Sequence, residues 1–326
     1  MNGFSGWAAR YREPVGRMTW DELPTALRRR VEGALGGEVV EAESQAEGYS
    51  PGSADRVVVR GGGRAFVKTV SRSRNADAFD LHRREADVMV QLPQSVRAPR
   101  LLTAIEDTAD GDDWIALVLS DVDGRHPGGS RDGTDIRAVL DALDTLPVAT
   151  GALAARPRLA AELAGAFDAW DRMLATGLPS SIPQPVAAAA QAFARTAAGS
   201  AALLDGDHLV HVDCRADNLL VDHAGQVWVL DWPWAAVGAH WFDPLAYLLD
   251  VLVRGESTDV EAHLAEHPVF AGLTAPTVDA VLAGLAGTFF ENAARPAIPQ
   301  MPTLRDFQRR EGLAAAEWLL RRWTTR

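Results

Sequence analysis

The chain contains very little cysteine, and it has no long hydrophobic run. Cys214 is the only cysteine among 326 residues, which excludes an internal disulfide and leads us to expect a reducing, cytoplasmic compartment. No apolar run reaches the roughly 18 to 20 residues of a membrane span. The opening residues, MNGFSGWAARYREP, lack the apolar segment of a secretory signal. We therefore expect neither a membrane anchor nor a leader.

Acidic residues outnumber basic residues, 44 to 32. The formal net charge is -12, which argues against nucleic acid or an anionic membrane surface as a partner. This charge is compatible with a cationic ligand, although many ordinary cytosolic proteins are as acidic. The sequence does not indicate an oligomeric state.

Lysine is almost absent, because Lys68 is the only lysine among the 32 basic residues. Arginine is a planar fork, whereas lysine is a compact charge on a slim stem. A binding site that needs a compact ammonium group would explain why lysine occurs at position 68. Chance would explain it as well, so the residues around Lys68 must decide.

The order of predicted elements indicates an α+β fold. The first third reads as strand-rich with one prominent helix, and the remainder reads as helical around one hairpin, which suggests two lobes joined near residues 120–124. Predicted strands are 39–44, 56–60, 65–70 and 114–122, and predicted helices are 19–34, 76–92, 243–254, 258–266, 276–294 and 303–323, with a further helical region at 134–204.

The hairpin in LVHVDCRADNLLVDHAGQVWVLDW (209–232) collects oxygen ligands at one end. A short antiparallel hairpin places the start of its first strand beside the end of its second. Asn218 lies at that start, Asp231 lies at that end, and Asp213 precedes Asn218 on the same loop. Hard oxygens with few carboxylates suit Mg²⁺. Loop turns alone would explain one such residue, but three at these spacings favour a metal site.

The segments HVDCRADN and VLDW resemble the catalytic loop and metal-binding segment of the aminoglycoside phosphotransferase family, within the protein-kinase-like superfamily. The resemblance implies that Asp213 accepts the proton of a substrate hydroxyl and that Asn218 and Asp231 hold Mg²⁺ on nucleotide phosphates. It further implies that His211 orients the loop and that Arg215 faces the γ-phosphate. The chemistry suits this layout, since phosphoryl transfer mainly needs positioning and charge neutralisation.

One departure from the protein-kinase pattern follows Asp231. Trp232 and Pro233 replace the small glycine-containing turn of protein kinases. Small-molecule kinases of this family vary here, so the resemblance stands, but we do not expect a mobile activation segment.

Lys68 has a predicted partner on the helix 76–92. Glu85 falls on the apolar stripe of that helix, and an unpaired buried carboxylate is costly. Lys68, on the predicted strand 65–70, is the obvious partner, and the kinase template uses such a lysine–glutamate pair to hold the α- and β-phosphates. An exposed surface glutamate is the alternative for Glu85.

The segment EGYSPGSADRVVV, before Lys68, is a candidate phosphate loop. Its backbone N–H groups and the hydroxyls of Ser50 or Ser53 could bind phosphates, although it is not a Gly-x-Gly-x-x-Gly motif. GYSPG also matches the Gly-x-Ser-x-Gly motif of serine hydrolases. That reading fails because a strand follows it, and because Pro51 has no N–H for an oxyanion hole.

The segment LVLSDVDG (117–124) lies at the predicted lobe boundary. By resemblance it is the hinge, where the Ser120 carbonyl and the Val122 amide meet the base edge of the nucleotide.

Three other candidate sites are weaker. A zinc site at His208, His211 and Asp213 is disfavoured, because residues three apart on an extended segment point to opposite faces. Cys214 reads as a packed residue rather than a nucleophile. Asp243 opens a predicted helix and reads as an N-cap, whereas by resemblance it braces the catalytic loop.

These inferences lead to a two-lobed protein-kinase-like fold with a nucleotide-binding lobe at 1–121 and a helical lobe at 122–326. The expected reaction moves the γ-phosphate of ATP or GTP, with Mg²⁺, to a hydroxyl of a small molecule. Family analogy suggests an aminoglycoside or other hydroxylated antibiotic, and a sugar, choline or amino alcohol as alternatives. A nucleotide-binding pseudokinase-like module is the non-enzymatic alternative. Acidic residues after position 250 could attract a cationic acceptor or could be solvated: Glu256, Asp259 and Glu291.

Overall fold

The computed structural model describes residues 18–45, 52–128, 133–298 and 301–325. Within these ranges, no helix is both long enough and apolar enough to cross a membrane. The chain divides into two compact units. The first unit comprises Met1–Gly124, Trp228–Pro233 and Ile298–Pro302, and the second unit comprises Arg125–Val227, Trp234–Ala297 and Thr303–Arg326.

A five-stranded antiparallel sheet forms the first unit. The strand order is β1-β2-β3-β5-β4, so that β3 lies at its centre. The strands are β1 (Val39–Ser44), β2 (Ser53–Val59), β3 (Arg64–Ser71), β4 (Leu101–Ala109) and β5 (Asp112–Ser120).

One face of this sheet carries a hydrophobic core. Alternate residues of β2, β3 and β5 point to the same side, since side chains alternate along a strand. Helix α1 (Thr25–Leu35) covers that side with Leu27 and Val31. Val67 belongs to this core, so Lys68, its neighbour in sequence, points to the opposite face of the sheet.

Helix α2 (Ala76–Met89) begins at a well-formed cap. The side chain of Asn75 accepts a hydrogen bond from the Ala78 N–H, which satisfies one of the free amides of the first turn. The helix buries an apolar stripe that includes Phe79 and Val88, and Glu85 lies on that stripe with only 1% of its surface exposed.

The second unit is mainly helical. The helices are α3 (Thr134–Asp144), α4 (Leu159–Phe167), α5 (Ala169–Thr176), α6 (Gln184–Ala197), α7 (Phe242–Val253), α8 (Val260–Glu266), α9 (Ala275–Ala293) and α10 (Leu304–Thr324). Helix α9 lies in the core, and Gly287 lets the Trp170 ring approach it closely, because a Cβ there would lie 2.7 Å from that ring. The indole N–H of Trp170 then donates to the Ala283 carbonyl.

The remaining strands are short. They are β6 (Gly124–Arg125), β7 (His208–Val210), β8 (Leu219–Asp222), β9 (Val227–Val229) and β10 (Ala236–Gly238). β7 pairs antiparallel with β10. A turn closes the hairpin between β8 and β9, with Gly225 in the left-handed region (φ 76°) and its N–H donating to the Asp222 carbonyl.

Most predicted elements are present, and two expectations need correction. The predicted helix 19–34 is instead a 3₁₀ turn at Trp20–Glu22 followed by α1, because Pro24 lies between them. Strand β4 was not anticipated. Glu106 and Asp107 are poor strand formers, and the strand lies at the edge of the sheet, where such charges are tolerated.

The segment Trp228–Pro233 lies in the first unit, whereas its position in the sequence predicts that it belongs to the C-terminal lobe. Backbone pairing explains this placement, since the Val229 N–H donates to the Arg97 carbonyl at 2.8 Å.

Candidate active site

The only lysine of the chain lies between two carboxylates of the first unit. The Lys68 ammonium nitrogen on β3 lies 2.9 and 2.8 Å from the two oxygens of Glu85 on α2. It also lies 2.8 Å from Oδ1 of Asp231. The ion pair between Lys68 and Glu85 that the sequence predicted is therefore present, and Asp231 extends it to a group of three charges.

Burial and charge shift the pKa values of this group. Burial lowers the pKa of Lys68, but Asp231 and Glu85 outweigh it, so the net shift of the pKa is upward. Burial, helped by the charge of Asp231, raises the pKa of Glu85 to about 7, against the opposing effects of Lys68 and the Trp232 backbone. The Lys68 ammonium thus forms ion pairs with two carboxylates and remains protonated.

Asp231 has a strained backbone. Its φ of 60° lies in the left-handed region, which is uncommon for a residue other than glycine. The next residue is held firmly, since the Trp232 ring is fully buried and its Nε1–H donates to the Val229 carbonyl at 2.9 Å. The Asp231 side chain nevertheless keeps 41% of its surface exposed. Such strain often accumulates at functional sites.

The start of β2 packs tightly against the strand that carries Lys68. A Cβ on Gly52 would lie 1.6 Å from the Thr69 carbonyl oxygen, so only glycine fits there. Ser53 is buried, and its hydroxyl lies 2.8 Å from the Thr69 hydroxyl. The Ser53 hydroxyl is therefore turned toward the neighbouring strand. Ser50 lies outside the described residues.

The predicted hinge residues lie at the end of β5 and just after it. Ser120 exchanges hydrogen bonds with Arg100, because the Ser120 amide donates to the Arg100 carbonyl and the Ser120 hydroxyl accepts from the Arg100 amide. The Val122 carbonyl accepts a 2.9 Å hydrogen bond from Nη2 of Arg56.

The predicted catalytic loop follows β7 in the second unit. The Asn218 side-chain nitrogen donates to both the backbone oxygen and Oδ2 of Asp213, at 2.9 and 3.1 Å. The Asn218 amide oxygen therefore points away from Asp213. Nη1 of Arg215 pairs with the other Asp213 oxygen, Oδ1. The structure thus brings together Asp213, Arg215 and Asn218.

A buried carboxylate braces this loop. The oxygens of Asp243 accept hydrogen bonds from the amides of His211 and Val212 at 2.5 and 2.8 Å. Val212 needs such support, since its φ of 75° is unusual for a β-branched residue. Asp243 lies inside the first turn of α7 and makes no capping bond, so the N-cap reading was wrong. Burial raises the pKa of Asp243.

Asp250 is a second brace, which the sequence analysis missed. Its Oδ2 accepts a hydrogen bond from the Ala216 amide at 3.0 Å and pairs with Nε of Arg254 at 2.8 Å. Burial raises the pKa of Asp250 as well. A signal was available, because Asp243 and Asp250 are two turns apart in the otherwise apolar helix FDPLAYLLDVLV, and buried carboxylates need partners.

Acidic groups dominate around Arg215. Its Nε and Nη2 each lie 3.1 Å from an oxygen of Asp217, and its guanidinium lies 5.3 Å from the centre of the Phe307 ring. Glu311, also on α10, is near enough that Arg215 partly offsets the burial that raises the Glu311 pKa. Sequence reasoning missed Phe307 and Glu311, since no local pattern links α10 to the loop.

Two further loop residues are buried. His211 is completely buried, and Cys214 has 2% of its surface exposed. Burial raises the pKa of the Cys214 thiol well above its ordinary value. A neutral buried thiol is a poor nucleophile, so Cys214 acts as a packed residue.

The side-chain oxygens of the two predicted metal ligands are of the kind that a hard cation prefers. Asp231 offers a partly exposed carboxylate that already holds a cationic ammonium, and Asn218 offers an amide oxygen. Mg²⁺ takes few protein oxygens and shares substrate phosphates. Among the described residues, no group of three or more His, Cys, Asp or Glu side chains could hold a metal ion.

Solved structures share this fold. A thermostable mutant of aminoglycoside phosphotransferase APH(4)-Ia, in ternary complex with ADP and hygromycin B, has a TM-score of 0.56 at 15% identity over 92% of this chain and 97% of that chain. The GDP and kanamycin complex of APH(2")-IIia has a TM-score of 0.55 at 14% identity over 92% and 99% of the two chains.

Amicoumacin kinase hAmiN in complex with AMP-PNP, Ca²⁺ and Ami has a TM-score of 0.51 at 12% identity, over 88% of this chain and 93% of that chain. At these identities the similarity shows the fold, which confirms the predicted kinase-like class. No curated protein matches the sequence.

A family model gives the decisive comparison. The model described as the phosphotransferase enzyme family matches residues 46–276, a range that includes Lys68, Asp213 and Asp231. The chain therefore belongs to this phosphotransferase family, as the catalytic-loop resemblance indicated.

Proposed function

We propose that the protein transfers the γ-phosphate of ATP or GTP to a hydroxyl group of a small molecule. The observation that carries the proposal is that Lys68 contacts both the buried Glu85 and the partly exposed Asp231. A compact cation held by a buried glutamate is what the kinase mechanism uses on the α- and β-phosphates. Family membership supports phosphoryl transfer as the reaction.

Asp213 would receive the acceptor hydroxyl. Its carboxylate is oriented by Asn218 on one oxygen and by Arg215 on the other. In this proposal the hydroxyl displaces Arg215 from Oδ1, and Asp213 takes the hydroxyl proton as the phosphoryl group transfers. Arg215 then faces the negative charge of the γ-phosphate. His211 acts indirectly, since it is buried and shapes the loop.

Asn218 and Asp231 would hold Mg²⁺. When bound, the ion neutralises charge on the nucleotide phosphates. Asp231 contributes further by binding Lys68, which keeps the ammonium charged. Glu85 holds the same ammonium from the helix side and fixes its direction.

The acceptor is proposed to be an aminoglycoside or another hydroxylated antibiotic. Related structures were solved with hygromycin B, kanamycin and Ami. The carboxylates of Asp213 and Asp217 outnumber the one cation, Arg215, that pairs with both of them, and this excess of negative charge favours a cationic acceptor. Of the acidic residues considered from the sequence, Glu291 pairs with Arg172 and Glu256 pairs with Arg254.

Thermal stability provides the test. Binding to the folded state raises the melting temperature when ligand exceeds its Kd. We expect Mg²⁺ with ATP or GTP to raise the melting temperature of the wild type, and Lys68→Ala to abolish that increase. Arg64→Ala is a matched control, because Arg64 lies on the same strand with 54% of its side chain exposed.

A panel of hydroxylated antibiotics, sugars and amino alcohols, added to the nucleotide complex, then tests the acceptor. A further increase in melting temperature identifies the acceptor class. No increase with either nucleotide would reject the proposed function. Tight nucleotide binding without turnover would instead favour a pseudokinase-like module.

A further inference from the structure

The register of the first sheet places two arginines on the same face as Lys68. Arg56 on β2 is paired with Phe66 on β3, two residues from Lys68, which is about 7 Å along the strand. Paired residues of an antiparallel ladder point to the same side of a sheet, so Arg56 and Phe66 share the face that carries Lys68. Arg64 lies on the same face of β3, two residues from Phe66 on the side away from Lys68.

Arg56 is fixed against the segment that follows β5. Its Nη2 donates to the Val122 carbonyl at 2.9 Å, and its Nε lies 3.3 Å from Oδ1 of Asp121. The Asp121 side chain is only 6% exposed and also pairs with Arg64 at 2.9 Å. Arg56 therefore spans from β2 to the hinge, with its guanidinium oriented by a backbone oxygen and a buried carboxylate.

One end of this guanidinium remains available. Within the described part of the chain, Nη1 of Arg56 makes no hydrogen bond, and the Arg56 side chain keeps 23% of its surface exposed. Guanidinium groups donate hydrogen bonds and accept none. A ligand that reaches this position must therefore offer an acceptor atom.

We propose that Arg56 makes the nucleotide site selective for a purine that carries oxygen at C6. This inference rests on the proposed function, in which Lys68 binds the phosphates and the hinge meets the base edge. A nucleotide with its phosphates at Lys68 would extend its base along this face of the sheet toward Arg56, about 7 Å further along the strands. Phe66, between them on the same face, offers a ring against which a base can stack.

Purines with oxygen at C6 differ from adenine in the hydrogen-bonding groups on the edge that carries C6 and N7. Guanine and hypoxanthine present two acceptors, O6 and N7, to which the unpaired Nη1–H groups of Arg56 can donate. Adenine presents an amino group at C6, which is a donor and cannot pair with a guanidinium. The wrong substrate leaves the polar groups of such a site without hydrogen-bond partners and therefore binds much more weakly. A site of this kind discriminates strongly between two substrates.

Competition between nucleotides tests the inference. The dissociation constants of Mg²⁺ complexes of GTP, ITP and ATP are measured by calorimetry on the full-length wild type. We expect GTP and ITP to bind at least tenfold more tightly than ATP, and to be nearly equal to each other, since Arg56 reads O6 and N7. This comparison needs no variant, so it does not depend on the folding of a mutant.

Arg56→Gln identifies the residue responsible. We expect this variant to reduce the preference for GTP over ATP at least fivefold and to leave the affinity for Mg²⁺-tripolyphosphate, which lacks a base, unchanged. Arg64→Gln is the matched control, because Arg64 contacts the same carboxylate from a more exposed position. We expect that variant to retain the full preference.

Two results would overturn the inference while leaving the proposed function intact. These are equal binding of ATP and GTP by the wild type, and a GTP preference that Arg56→Gln does not change. Failure of all three nucleotides to bind is a separate outcome, which would reject the proposed function and this inference together.

Discussion

Lys68 and Asp231 are 163 positions apart in the chain, yet the Lys68 ammonium lies 2.8 Å from Oδ1 of Asp231. This contact joins the proposed phosphate-binding lysine to the proposed metal ligand before any nucleotide is present. Glu85 completes the group from α2. A bound nucleotide must therefore compete with Asp231 for the ammonium, and binding should be visible at Lys68 itself.

The single lysine makes this prediction directly measurable. Protein labelled with ¹⁵N-lysine should give one side-chain ammonium resonance. We expect it to remain protonated to higher pH than a free lysine, because the two carboxylates raise the pKa of Lys68. Asp231→Asn should lower that pKa, and Mg²⁺-nucleotide should shift the resonance. A resonance that titrates like free lysine and ignores nucleotide would contradict the assignment.

Asp213 and Asp217 share Arg215, which allows a matched pair of variants. Asp213→Ala should lower kcat by about 10²- to 10⁴-fold, the usual contribution of a general base. Asp217→Ala should lower it only a few-fold, because Asp217 is bound to Arg215 without contacting the proposed acceptor position. Circular dichroism checks that both variants are folded. Retained turnover in Asp213→Ala would remove Asp213 from the base role.

Much of this molecule is predictable from local patterns. Helix and strand periodicity located most elements, and the pairing of Lys68 with Glu85 followed from a carboxylate on an apolar helix stripe. Such signals depend on residues a few positions apart, where backbone geometry fixes which side chains share a face.

Other features depend on contacts that no local pattern contains. The contact of Asp231 with Lys68 joins distant segments, as does the approach of Phe307 to Arg215. Asp243 illustrates an intermediate case, since its position at a helix start suggested a cap. Its oxygens in fact bind amides of another segment, and only the tertiary structure brings those amides within reach.

Backbone strain at Val212 predicts an unusual stabilising substitution. A left-handed conformation costs a residue with a Cβ about 1–2 kcal/mol, whereas glycine adopts it freely at the expense of greater freedom in the unfolded chain. We expect Val212→Gly to leave the free energy of unfolding unchanged or to raise it by less than about 1 kcal/mol. Urea denaturation measures this value.

Val210 supplies the control for that substitution. It lies in β7 with no exposed surface, so Val210→Gly should lower the free energy of unfolding by about 2–4 kcal/mol through lost packing. Equal destabilisation by the two glycine substitutions would show that Val212 is not strained.

The raised pKa of Glu85 predicts a specific dependence of stability on pH. A carboxyl whose pKa is higher in the folded than in the unfolded protein binds its proton more tightly when folded. The contribution of Glu85 to stability is therefore largest below pH 4.5, the ordinary pKa of its carboxyl, and declines as the pH rises toward about 7. Glu85→Gln removes this contribution while keeping the side-chain shape.

Urea denaturation at about pH 5 and about pH 8 provides the comparison. Between these values, the free energy of unfolding of the wild type should fall more, or rise less, than that of Glu85→Gln. Identical pH dependence in the two proteins would show that the pKa of Glu85 is not raised.

Release of the γ-phosphate is the most direct test of phosphotransfer. In the absence of an acceptor, the wild type with Mg²⁺ and ATP or GTP should slowly release inorganic phosphate to water. We expect Lys68→Ala and Asp231→Ala to abolish this release, and a true acceptor to replace it with a phosphate ester. Saturation with Mg²⁺-nucleotide and no release above the uncatalysed rate would contradict the account.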